Sequence, residues 1–135
     1  MKVSTLEELQ DMIDITPFHR WLKLQAEALN KETGQLTLSA PIRENAEQYV
    51  GSGKAHGGVI AAIIDTTAAY ACFISLDRVV STINLRVDYL RPALGERLEA
   101  TSRVQRLGRS IGVIDVEVRS GDKLVAIGRT DFSVV

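Results

Sequence analysis

The sequence predicts an α+β fold in which a curved antiparallel sheet wraps one long helix, and three features carry that prediction. The segment from His56 to Ser75, HGGVIAAIIDTTAAYACFIS, is apolar around nearly its whole circumference, the pattern of an enclosed helix rather than a surface one. Apolar and polar residues then alternate in four runs, Thr82 to Tyr89, about Leu98–Leu107, Ile111–Arg119 and Leu124–Val134, which is the period of half-buried strands. The chain has 135 residues, 45% apolar and 24% charged, enough to bury one core but not two.

Along the chain, residues 1–22 read as a helical segment of the single domain 1–135. Ser4 and Glu7 stand at capping-box spacing, and Leu6, Leu9, Met12 and Ile13 follow at helical spacing. Thr16-Pro17 reads as an N-cap with proline at the first helical position, opening a turn through Phe18, Trp21 and Leu22. Leu24, Ala26 and Ala28 alternate with polar residues, as do Leu36, Leu38 and Ala40, and the turn-like Lys31-Glu32-Thr33-Gly34 between them predicts a hairpin. Pro41 to Ala55 is the longest irregular stretch, and a loop of that length in a compact domain tends to carry function. In the long helix Asp65, Thr66 and Thr67 interrupt the roughly 20 apolar residues that a bilayer span needs, so its expected wrapping is protein. In the strand after it, Ile83, Leu85, Val87 and Tyr89 form the apolar set, ended by Pro92 and Gly95. Gly108-Arg109 and Ser120-Gly121-Asp122 separate the last three strands as short turns between antiparallel neighbours.

Composition excludes several functions. Sixteen Lys/Arg against seventeen Asp/Glu give a net charge of −1, without the basic excess of a nucleic-acid binder or a polybasic membrane-surface protein. One cysteine, Cys72, and two histidines, His19 and His56, exclude a disulfide framework and leave too few ligands for a Cys- or His-rich metal site. The opening MKVSTLEELQ has early acids and no apolar core, so it is not read as a secretory leader, and a cytoplasmic location is expected.

Two features point to chemistry. Asp65 lies mid-helix among Ile63, Ile64, Ala68 and Ala69, where an unpaired carboxylate costs several kcal/mol to desolvate. It is either a general base or nucleophile with a pKa raised by apolar walls, or a structural acid bonded at a subunit contact or turned to water. At the start of the same helix, His56-Gly57-Gly58 offers free amides at the positive end of the dipole. The two glycines let a ligand oxygen come close, the requirement of an oxyanion hole; a permissive turn is the plainer alternative. Gly57 and Asp65 are eight positions apart, or about 12 Å along a helix axis, so one helix cannot serve one carbonyl with both. Two antiparallel copies across a twofold axis can, which predicts a homodimer if the protein is an enzyme.

The run HGGVIAAIIDTTAAYA, the later TINLRVDYLRPALGE, the Gly108-Arg109 turn and the N-terminal TPFHRWL together resemble the hotdog-fold acyl-CoA thioesterases of the phenylacetate-degradation type, over nearly the whole chain. The resemblance implies a hotdog fold, an acyl-CoA substrate, and a homodimer or a homotetramer built as a dimer of dimers. It implies no cofactor beyond the coenzyme A of the substrate, and no metal, nucleic acid or membrane. It implies that Asp65 attacks the thioester carbonyl or activates water, that Gly57 supplies the oxyanion amide, and that His56 holds the loop or lies near the thioester. Thr82 matches a Ser/Thr that places the attacking water, although by itself it reads as an ordinary β-branched strand residue. Gly58 belongs to the same substrate-facing turn. Val50 stands where the family often has an Asn, with Gln48, Tyr49 and Ser52 as polar substitutes nearby. Arg91, Arg106 and Arg109 lie where the family contacts the nucleotide, Lys54 in the loop before the helix is another candidate, and cations suit its phosphates.

Cys72 is read as a small buried hydrophobe, and Tyr70 and Phe73 as core. His19 and Trp21 either pack or cap an acyl tunnel. The rival readings are a non-catalytic acyl-CoA binder, an enoyl-CoA hydratase and a structural dimerisation domain. The hydratase would want a His where Tyr70 follows Asp65.

Overall fold

The computed structural model describes residues 2–135. Its elements run α1 (Leu6–Ile13), α2 (Pro17–Trp21), β1 (Gln25–Asn30), β2 (Gln35–Pro41), α3 (Gly57–Leu76), β3 (Ser81–Tyr89), β4 (Arg97–Leu107), β5 (Ile111–Ser120) and β6 (Lys123–Ser133). The strands form one antiparallel sheet in the order β1-β2-β4-β5-β6-β3. Helix α3 touches β2, β3, β4, β5 and β6. Five flat strands would span about 19 Å, whereas a helix with its side chains is about 10–12 Å across; the sheet therefore curls around the helix, as the sequence predicts.

The core follows from the two periodicities meeting. Leu36, Leu38 and Ala40 of β2, Leu98 and Ala100 of β4, Ile114, Val116 and Val118 of β5, and Phe132 of β6 are buried with Ile60, Ile63, Ile64, Ala68, Ala71 and Cys72 of α3. At Gly128 the helix comes closest: a Cβ there would lie 2.7 Å from Ile64 Cγ2 and 3.1 Å from the Arg86 carbonyl oxygen. Helix and sheet can approach this closely only with glycine in that place. Thr67, buried in the middle of α3, satisfies its hydroxyl by donating to the Ile63 carbonyl at 2.6 Å.

Both ends of the fold are tied down. The cap of α1 is one residue later than the expected Ser4 and Glu7: Thr5 and Glu8 form the capping box, with Glu8 N–H on Thr5 Oγ1 at 3.1 Å and the Glu8 carboxylate accepting from Thr5 N–H at 3.1 Å. The same carboxylate also accepts from Ser4 N–H at 2.7 Å, so two donors converge on it and select this register. Gln10 on α1 then covers the outer edge of β1. Its side-chain amide donates to Leu24 O at 3.1 Å and accepts from Ala26 N–H at 2.7 Å, replacing the strand that is missing there. The far end of α3 is held from the β1–β2 turn, where Lys31 Nζ donates to Ile74 O at 3.1 Å and pairs with Asp77 at 2.9 Å. That cation complements the negative end of the helix dipole and holds the Asp77 carboxyl below its ordinary range.

Two expectations are corrected. The wrapping of α3 by its own chain is one-sided: Ala61, Ala62, Asp65, Thr66 and Ala69 form a strip that is only half-buried, opposite the sheet-facing residues. An apolar composition reports that a helix is covered without saying by which chain. In β3, the register shifts between Thr82 and Asn84. This bulge reverses the alternation, so Ile83 is 52% exposed while the Thr82 hydroxyl reaches the helix. Helix α3 is long and apolar enough to cross a bilayer by length and composition; here it is the core helix of the sheet.

Candidate active site

The site begins where the loop of residues 42–56 feeds α3. His56 is the N-cap, in extended conformation, and its carbonyl accepts from Val59 and Ile60 N–H at 3.0 and 3.2 Å. Its imidazole Nδ1 accepts from Gly58 N–H at 2.8 Å, which leaves the proton of the neutral ring on Nε2. A Cβ on Gly58 would stand 3.0 Å from that nitrogen, so the histidine cap itself favours glycine at 58. Gly57 is different. A Cβ there would meet nothing closer than the Tyr89 ring at 3.5 Å, an ordinary contact, so nothing within the chain demands glycine. Among the described residues no hydrogen bond uses the Gly57 N–H. It is a free donor in the first turn of a 20-residue helix, where the dipole favours negative charge.

Asp65 lies two turns along the same helix, half-buried on the strip that the sheet leaves open. The bulge of β3 brings Thr82 Oγ1 to donate to Asp65 Oδ1 at 2.9 Å, leaving Oδ2 for another partner. Bulges commonly re-aim a side chain beside a site in this way. One oxyanion donor and one carboxylate are thus both presented, about 12 Å apart along one helix.

The remaining residues fall at two ends of the molecule. Lys54 and Arg91 are exposed near the start of α3; Lys54 pairs with Leu94, and Arg91 N–H lies 3.4 Å from Val125 O. Arg106 and Arg109 are exposed around the β4–β5 turn, and just after it Gly112 of β5 faces Cys72 on the C-terminal half of α3. A single chain therefore does not bring the four cations together. Val50 is 91% exposed at the tip of a small excursion whose arms are joined where Glu47 bridges Ala55 and Gln48 N–H meets Lys54 O. Of its polar neighbours, Ser52 bonds within the excursion to Lys54 N–H and O, while Gln48 and Tyr49 are exposed.

Cys72 is buried, and desolvation pushes its thiol up despite nearby Arg78, the state of a packing residue rather than a nucleophile. Burial likewise holds His19 below its ordinary value, opposed by its bond to Ile13 O, and it raises Tyr70, helped by Asp14. The two rings meet edge to face at 5.9 Å. Trp21 stacks on Phe18 at 6.1 Å and both are exposed. Sequence reasoning placed Tyr89 only as a strand residue. In the fold its hydroxyl donates to Gly57 O at 2.7 Å; the sole signal in the sequence was a tyrosine ending the strand that follows the helix.

A six-stranded antiparallel sheet curled around one long helix is the architecture of the hotdog proteins. The model of the thioesterase superfamily matches residues 52–127, and this chain belongs to that superfamily. The medium/long-chain acyl-CoA thioesterase YigI of Escherichia coli is 36% identical across 84% of this chain and 82% of its own length. The acyl-coenzyme A thioesterase PaaI of the same organism is 38% identical over 62% of this chain and 61% of its own. A thioesterase structure from Haemophilus influenzae superposes with a TM-score of 0.88 at 25% identity, covering 98% of this chain and 91% of that one. The fold and family expected from the motifs are those found.

Proposed function

We propose that this thioesterase hydrolyses acyl-CoA thioesters to a carboxylic acid and free coenzyme A, with each active site shared between two copies of the chain. The single observation that carries this reading is the pair on α3: a carboxylate oriented by Thr82, and an unused amide at Gly57. The unpaired outer edge of β3 and the half-buried strip of α3 adjoin each other, and a twofold copy would cover both. In that pairing, Gly57 of one copy faces Asp65 of the other.

The mechanism follows from the groups present. The thioester carbonyl oxygen accepts from Gly57 N–H. Water is held between Asp65 Oδ2 and the Thr82 hydroxyl, whose own proton is committed to Asp65 Oδ1. Asp65 takes a proton as the water oxygen attacks the carbonyl carbon, and the negative charge that develops on the carbonyl oxygen is stabilised by the amide and the helix dipole. Collapse breaks the C–S bond and the thiolate of coenzyme A leaves, taking up the proton that Asp65 accepted. The same pairing sets Lys54 and Arg91 of one copy on the side where Arg106 and Arg109 of the other lie, giving the nucleotide phosphates cations from both.

The test is thiol release from a panel of aliphatic C4–C16, phenylacetyl and hydroxybenzoyl thioesters of coenzyme A, by wild type, Asp65→Ala and Asp65→Asn. The kinship with YigI puts medium and long aliphatic chains first in that panel. Turnover by wild type that falls by orders of magnitude in both variants, with the fold retained, supports the reading. Tight binding without turnover overturns it in favour of an acyl-CoA binder. Single turnover in ¹⁸O-water tests for an anhydride opened at the aspartyl carbon: general-base attack puts one heavy oxygen in the product acid, whereas that route leaves the acid light and puts the heavy oxygen in the Asp65 carboxylate.

A further inference from the structure

The Gly57–Gly58 peptide is held at both of its polar ends. Its carbonyl accepts from Tyr89 Oη at 2.7 Å, and its N–H donates to His56 Nδ1 at 2.8 Å. The peptide before it is fixed too, because the His56 carbonyl takes Val59 and Ile60 N–H. Two successive glycines have no side chains to restrict their backbone, so without these bonds the first turn of α3 would be free to fray. Tyr89 is the only one of these partners that comes from outside the helix and its cap. It stands at the last position of β3, the same strand that carries Thr82, so one strand holds both halves of the chemistry in place. The ring also lies along Gly57, 3.5 Å from where a Cβ would stand.

We infer that Tyr89 is a positioning residue of the thioesterase reaction: it fixes the Gly57–Gly58 peptide, and through it the direction of the Gly57 N–H and the tautomer of His56. This rests on the reading of Gly57 as the oxyanion donor. The two hydrogen bonds polarise the peptide in one sense, each strengthening the other. A donor held in place before the substrate arrives costs no reorganisation when charge develops. Tyr89 touches neither the carbonyl nor the water, so its removal acts on the chemical step rather than on binding.

The test is Tyr89→Phe, which keeps the ring over Gly57 and removes only the hydroxyl. The expected result is a fall in kcat of about tenfold with KM within about twofold, the signature of lost transition-state stabilisation. In the free protein, the ¹⁵N shifts of the His56 ring should move from the Nε2–H tautomer toward a mixture, and the Gly57 and Gly58 amides should exchange faster. Tyr89→Phe combined with His56→Gln should lose no more than the worse single variant, because both act on one peptide. Unchanged kcat in Tyr89→Phe overturns the inference, as does a rise in KM alone, or a fall in kcat with ring shifts and amide exchange unaltered. Gly57→Pro separates the two levels, because proline is tolerated at the first helical position after an extended N-cap and deletes only that N–H. Turnover lost there but intact in Tyr89→Phe removes only the positioning role, and turnover retained in Gly57→Pro removes the oxyanion reading and the inference with it.

Discussion

Replacing Thr82 with valine isolates what the β3 bulge contributes to Asp65. The side chains have nearly the same shape, and β3 is an edge strand on which valine is as well accommodated as threonine. The change therefore removes one hydrogen bond within the chain, Thr82 Oγ1 to Asp65 Oδ1 at 2.9 Å, and with it the oxygen that accepts from the proposed water. A hydrogen bond to a charged group is worth about 1.5–3 kcal/mol when sheltered. Thr82 is exposed within the chain, water competes for the carboxylate, and roughly 1–1.5 kcal/mol is the part that orients Asp65. At 1.36 kcal/mol per decade this predicts a fall in kcat of about 5- to 15-fold, while folding stability stays within about 0.5 kcal/mol. Steady-state coenzyme A release gives the first number and thermal melting the second. Thr82→Ser, which keeps the hydroxyl, should restore most of the rate. A valine variant with the kcat of wild type would refute the reasoning, and so would one whose rate loss matches a collapse of Tm.

Three further outcomes follow from the same geometry. If Gly57 and Asp65 of different copies share a site, co-expressing Asp65→Asn with a blocked Gly57→Val should restore roughly a quarter of wild-type activity, since half of the dimers are mixed and each carries one intact site; no recovery would place both groups in one chain. Gly128→Val drives a side chain against Ile64 and the Arg86 carbonyl, and should cost about 1–3 kcal/mol, read as a lower Tm; an unchanged Tm would show that α3 can retreat. Burial lowers the pKa of His19 in the folded chain, so the unfolded chain binds its proton more readily. Stability should thus be full above about pH 6.5 and decline as pH falls toward the folded value. His19→Gln should flatten that part of the Tm-against-pH curve, and an unaltered slope would assign the loss to other groups.

The elements themselves were legible from local pattern. The all-round apolar run gave α3 nearly to the residue, because a helix needing cover on every side has no polar stripe. Strict alternation gave the strands, and Gly57 followed by Asp65 at eight positions marked two candidate groups that lie about 12 Å apart along one helix. Where local signals compete, the pattern gave the wrong residue. Ser4–Glu7 and Thr5–Glu8 have the same spacing, and only the converging donors at Glu8 decide between them. Alternation placed Ile83 inward, and one extra residue in β3 turned it out and Thr82 in.

What only the tertiary structure decided is everything that depends on which distant segments meet. No periodicity states that β3 pairs with β6 rather than with β4, its neighbour in sequence. None states that Gln10 covers the edge of β1, or that Tyr89 ends its strand beside Gly57. Periodicity is fixed by the geometry of a single element, two residues per repeat in a strand and 3.6 in a helix. Strand order and register are fixed by burying one shared core from all the elements at once. The sequence by itself named the candidate residues of the site; the packing of the sheet around α3 determined which of them are aimed, and by what.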